Sequence, residues 1–152
     1  MNEIKTTKKT NKKGFTLVEL VVVIAILAIL AAIAIPVVSN TIASSARSGA
    51  LSDAQTLELA LKEADAMIQA GDTSAGYSTA TTVANVVAAK SLQSIDDTVN
   101  VAGTSYTLSW CAADDKCYYI DSSGANLDSN VTPGGSCTAL SVSSSNTISS
   151  LF

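Results

Sequence analysis

Between Glu19 and Arg47 the chain runs for 27 residues, 20 to 46, without one charged side chain, and from Leu20 to Val38 it is almost entirely Val, Ile, Leu and Ala. No other feature narrows the possible folds so far. About 20 helical residues cross a hydrocarbon core of roughly 30 Å, so the stretch has membrane-spanning length. A composition of 47% hydrophobic and 14% charged residues is apolar for a soluble protein, and most of the excess sits here. The 114 residues from Ser39 onward are enough to bury one core of their own.

The charge pattern gives this segment a direction. Lys5, Lys8, Lys9, Lys12 and Lys13 stand against Glu3 alone in the first 13 residues. Basic residues flanking an apolar span hold their side in the cytoplasm, which puts the bulk of the chain on the outer face. Without residues 1–14 the chain would keep four basic and twelve acidic residues. So acidic an exterior argues against nucleic acid as a default partner, because phosphate binding needs clustered Lys and Arg. The lysine run reads as an export flank.

A basic stretch followed by an apolar one is also the outline of a secretory signal peptide. The apolar run is too long for that, since a signal core has about 7 to 15 residues, and no small-x-small cleavage site ends it. Ala31, Ala32 and Ala34 imitate such a site, but the apolar sequence continues past them. The better division lies in Lys12-Lys13-Gly14-Phe15-Thr16-Leu17-Val18-Glu19-Leu20, where a basic leader ends in glycine, a phenylalanine opens the helix, and one carboxylate sits in its first turn.

Over residues 15–38 this resembles the prepilin signature of type IV pilins and of the pseudopilins of type II secretion and DNA-uptake systems. The resemblance implies removal of a leader, residues 1–14, by a prepilin peptidase cutting between Gly14 and Phe15, followed by N-methylation of Phe15. It implies a subunit held first in the cytoplasmic membrane, then handed by a membrane assembly platform to a homopolymer, an extracellular pilus on the cell surface. Residues 15–38 would be the transmembrane and assembly helix, 39–70 its amphipathic continuation, and 71–152 the globular part. The implied fold class is α+β: a long N-terminal helix whose second half packs on a small antiparallel sheet.

The residues support that layout independently. After the span, Ile42, Ala46, Ala50, Ala54, Leu57, Leu61, Ala64 and Ile68 recur at steps of three and four, the stripe of a one-sided helix. Gly71-Asp72 is a credible stop. Thr81 to Lys90 reads as a short helix, and Ser105–Cys111 with Lys116–Asp121 as a hairpin about Asp114-Asp115. Thr98–Val101 and Ala139–Ser143 are weaker strand candidates, and Ser143–Ser150 is low in complexity and reads as a mobile tail or a weak edge.

Glu19 is the sharpest candidate for mechanism. A carboxylate carried to the centre of a bilayer costs roughly 2.5 to 3.5 kcal/mol, so it calls for a partner. The next cation along the chain, Arg47, is about 40 Å away at 1.5 Å per helical residue. Cleavage would supply one, the amine of Phe15, and the resemblance points to that amine on a neighbouring subunit. The plainer alternative is that Glu19 only favours the positive end of its own helix, worth about 0.3 to 1 kcal/mol. Gly14 would let a peptidase approach the bond after it. Pro36 lacks a donor and crowds the carbonyl of Ala32; it either opens the helix locally, as the resemblance suggests for filaments, or marks the end of the span. Ala25, Ala28 and Ala32 share a face on which helices could approach closely.

The cysteines are Cys111, Cys117 and Cys137, an odd number in a region placed where disulfides are permitted. The resemblance favours Cys117–Cys137, closing a C-terminal loop; the alternative, Cys111–Cys117, would staple the hairpin if its strands bring the Cα atoms within about 7 Å. With no histidine and three separated thiols, a metal site is not expected, nor is any cofactor. Asp121, Asn126 and Asp128 supply oxygens in a Gly-containing loop, but a solvated acidic loop is the default over calcium. Asn130-Val131-Thr132 has the pattern of a glycosylation sequon, which chance supplies readily in Ser/Thr-rich sequence. There is no Gly-x-Ser-x-Gly elbow or phosphate-binding glycine loop, so an enzyme is not expected. The competing classes are a pseudopilin and, further off, a membrane-anchored binding protein that never polymerises.

Overall fold

The computed structural model describes residues 14–152, so the leader, apart from Gly14, lies outside the described residues. The chain divides into two compact units, one ending at Ser39 and the other running from Asn40 to Phe152. Helix α1 spans Leu17–Gln69, followed by α2 (Val83–Ala89), strands β1 (Thr98–Val101), β2 (Thr104–Cys111), β3 (Lys116–Ile120) and β4 (Cys137–Ala139), and a 3-10 turn at Ile148–Ser150. The architecture is α+β, a long N-terminal helix with a small antiparallel sheet, as the sequence leads one to expect.

In the first unit α1 is helical throughout, Pro36 included. The hydroxyl of Ser39 donates to the carbonyl of Ile35 at 3.0 Å. In the second unit Ala50, Ala54, Leu57, Ala60, Leu61 and Ala64 are buried. Their spacing is the three-four stripe read from sequence, except that Ile42 is exposed. Gly71 ends the helix with φ +68°. The Asp72 N–H reaches the carbonyl of Met67 at 3.0 Å and the Gly71 N–H that of Ile68 at 3.1 Å, the paired bonds of a Schellman stop that a left-handed residue makes possible.

Strand β2 is the centre of the sheet. It pairs with β3 along one edge, while β1 and β4 share the other, end to end. The β1–β2 turn is Ala102-Gly103, with φ of +53° and +87°, the two-residue geometry that suits strand twist. Leu108, Trp110, Cys117 and Tyr119 join Val83, Val86 and Val87 of α2 and the α1 stripe in one core.

Both disulfide expectations are corrected. The structure joins Cys111 to Cys137, with Cα atoms 4.1 Å apart, and leaves Cys117 as a buried free thiol. The reason is strand alternation. Cys117 stands opposite Trp110, whereas Cys111 stands opposite Lys116 in β3 and opposite Cys137 in β4. Successive side chains point to opposite faces, so Cys117 faces the core and cannot meet either of the others.

The fourth strand is also earlier than expected, Cys137–Ala139 rather than Ala139–Ser143. Beyond it the chain is gripped by a side chain instead of a ladder: the Asp97 carboxylate accepts bonds from the Ser141 hydroxyl and the Val142 N–H, both at 2.6 Å. Nor is Ser143–Ser150 a loose tail. The first N–H groups of any helix lack intrahelical partners, and here Val83 and Ala84 donate to the carbonyls of Asn146 and Ser144. Ile148 is fully buried, the Trp110 indole N–H donates to the carbonyl of Leu151 at 2.8 Å, and the Phe152 ring lies 4.6 Å from that of Trp110.

Candidate processing and assembly site

The site read from sequence begins at Gly14 and Phe15, which precede α1 without regular structure and are exposed. A Cβ on Gly14 would meet nothing within 4 Å among the described residues, so packing against them does not require glycine there. From Phe15 to Val38 every large apolar side chain is at least 49% exposed. The helix contains a stretch long and apolar enough to cross a membrane, none of it buried within the chain.

At the start of this surface Glu19 finds hydrogen-bond partners, though not a cation, in its own chain. The Thr16 N–H and the Thr16 hydroxyl both donate to Glu19 Oε2 at 2.8 Å, and the Glu19 N–H donates back to Thr16 Oγ1 at 3.2 Å. This is a capping box, in which residue N3 satisfies the N-cap backbone while the N-cap side chain satisfies N3. Thr16 is therefore a site residue that the sequence reading missed. Its signal, Thr-x-x-Glu before an apolar run, was in plain view. Both of its donors go to a single carboxylate oxygen.

Among the described residues no ion pair involves Glu19. The ion pairs among the described residues, Lys62–Glu58 and Lys90–Glu63, both belong to the second unit. Pro36 is brought near neither Phe15 nor Glu19: about 17 residues of helix separate it from Glu19, some 25 Å at 1.5 Å each.

One oxygen of each carboxylate weighed for calcium, and the Asn126 amide, are engaged in turns. Asp121 Oδ1 accepts from the N–H and hydroxyl of Ser123 and the N–H of Ala125, and the Ser123 hydroxyl, then the Ala125 N–H, holds its carboxyl below the usual carboxylate range. Asn126 donates to the carbonyl of Val131 and accepts from the Asp128 N–H. Asp128 caps Asn130.

Cys117 lies against Glu58, whose carboxylate accepts the Cys117 N–H at 3.4 Å. Burial, and after it the charge of Glu58, pushes the thiol well above its ordinary range. The thiolate is the reactive form, so Cys117 should resist iodoacetamide in the folded protein at neutral pH and react at once on unfolding. Rapid labelling of the native protein, read by mass spectrometry, would contradict this placement.

Residues 9–35 match the family described as the prokaryotic N-terminal methylation motif. No curated protein and no solved structure matches the chain. The chain thus carries the prepilin signature shared by type IV pilins and pseudopilins, and this signature together with an exposed apolar helix fits a membrane-anchored precursor.

Proposed function

We propose that the protein is the structural subunit of a type IV pilus, made as a precursor whose leader is cut between Gly14 and Phe15 and whose helix, 15–38, passes from lipid into the centre of a homopolymer. The observation that carries this reading is the exposed apolar surface of that helix with one carboxylate at its start. Such a surface is stable in lipid or against other helices, and costly in water at about 25 cal/mol per Å².

Cleavage would place a cationic amine on Phe15 beside the capping box. The peptide N–H of Thr16 survives that cut, so the Glu19–Thr16 arrangement would persist in the mature subunit. With Oε2 occupied by Thr16, the other oxygen of Glu19 is available to the Phe15 amine of a neighbouring subunit, and residues 16–46 carry no basic side chain to compete. The Cys111–Cys137 bridge, which ties β4 back to β2 after strand β3 and a connection exposed at 129–132 and 135–136, supports a pilus subunit over a pseudopilin piston, because a stapled surface segment suits a fibre that meets the outside. Residues 71–152 would then form the outer layer, and the prepilin peptidase and an assembly platform in the membrane would be its processing partners.

Edman or mass-spectrometric sequencing of the mature N-terminus is expected to begin at N-methylated Phe15. A start at Met1, or beyond Ala34, would replace this reading with ordinary membrane insertion or secretion.

A further inference from the structure

The loop closed by the Cys111–Cys137 bridge carries a feature that filament assembly does not use. Of the asparagines in the chain, Asn130 alone begins an Asn-x-Ser/Thr triplet, Asn130-Val131-Thr132. The structure sets that triplet on the tip of a tight turn. The Val131 N–H bonds the carbonyl of Asp128 at 3.0 Å, so Ser129 and Asn130 occupy the two corners. Ser129, Asn130, Val131 and Thr132 are all exposed, between Leu127, which is buried, and Pro133. Pro133 disfavours helical backbone at Thr132 and so keeps the triplet extended after the turn.

The turn is anchored from below and free above. Asn126, itself buried, donates to the carbonyl of Val131 at 3.1 Å, and the Gly134 N–H donates to Asp114 at 2.5 Å. Asp128 completes the arrangement. Its Oδ1 accepts both the backbone N–H and the side-chain N–H of Asn130, at 3.1 and 3.2 Å. The amide to be modified is therefore presented at the surface with a carboxylate two residues before it that already engages its nitrogen.

We infer that Asn130 is an attachment site for an N-linked oligosaccharide. The co-substrate is an oligosaccharide carried on a polyprenyl diphosphate. Asn130 Nδ2 forms a bond to the anomeric carbon of the first sugar, the bond from that carbon to the diphosphate oxygen breaks, the lipid diphosphate leaves with the electron pair, and the amide gives up one proton. No oxidant or reductant takes part. Asp128 is a positioning residue in this step, and Thr132 supplies the hydroxyl that the triplet requires. The inference rests on the outward placement of residues 71–152 proposed above, since the lipid-linked donor is used on that face.

The test is mass spectrometry of the protein isolated from its own cells, reduced, alkylated and cut with trypsin. The C-terminal peptide, residues 117–152, is expected to carry one glycan localised by electron-transfer fragmentation to Asn130. Asn130→Gln and Thr132→Ala should each return it to the unmodified mass, with Ser129→Ala unchanged. Asp128→Ala should lower occupancy several-fold and Asp128→Glu should restore most of it, a rescue that a purely structural role for the turn would not give. A peptide found only unmodified, or a glycan mapped to Ser or Thr, overturns the assignment. The same digest reports the N-terminus, which separates the two readings: a Phe15 start with bare Asn130 sinks the glycan alone, whereas a retained leader sinks the outward placement too.

Discussion

Glu19→Gln is expected to lower the yield of sheared filaments by about 10- to 100-fold while leader removal and membrane insertion stay at wild-type levels. The magnitude follows from a hydrogen bond to a charged group, about 1.5–3 kcal/mol, at about 1.4 kcal/mol per factor of ten. The Thr16–Glu19 geometry makes the substitution informative. A glutamine at this position still serves a capping box, so Glu19→Gln removes the charge and keeps the cap. Thr16→Ala does the reverse: it costs about 0.5–2 kcal/mol of helix stability but leaves the carboxylate for a neighbour's amine. Filament yield in Thr16→Ala should therefore remain close to wild type. If Glu19→Gln assembles normally and Thr16→Ala does not, the carboxylate serves its own helix and the intersubunit pairing is wrong.

The second large effect belongs to the disulfide. Cys111→Ser or Cys137→Ser should destabilise the second unit by about 3 kcal/mol, from the entropy of freeing a loop of this length in the unfolded chain; the two cysteines are 26 positions apart. At about 4–8 °C per kcal/mol for a domain of this size, the midpoint of thermal unfolding in detergent should fall by roughly 12–24 °C. Cys117→Ala, by contrast, removes one buried sulfur and should cost about 1 kcal/mol. Equal losses at all three positions, or a peptide map that links Cys117, would show that the bridge is not the one the sheet register makes.

Much of this was written in local sequence because the chemistry concerned is local. A run of uncharged residues declares its own solvent. The stripe from Ala46 to Ile68, the Gly71 stop and the Asp114-Asp115 hairpin depend on neighbours within a few positions, and they stand where period and turn chemistry place them. Thr82 with Asn85 caps α2 by the same kind of short-range bond. The Thr16–Glu19 box is equally local, a Thr-x-x-Glu pattern whose partners stand three residues apart.

Cysteine pairing and the fate of the C-terminus were of another kind. Cys111, Cys117 and Cys137 offer three pairings, and composition cannot choose among them. The choice is made by which face of β2 and β3 each side chain occupies, a one-residue alternation that exists only once the strands are in register. Ser143 to Ser150 looks disposable as sequence, yet its carbonyls complete the open end of α2, and its own Ile148 with the following Leu151 closes the core over Trp110. The sequence alone thus determined the helix, its apolar surface and the stop at Gly71, because each follows from residues that are already adjacent. Only the tertiary structure decided the bridge, the free thiol and the seating of the last residues, because those depend on backbone groups and faces that meet after folding.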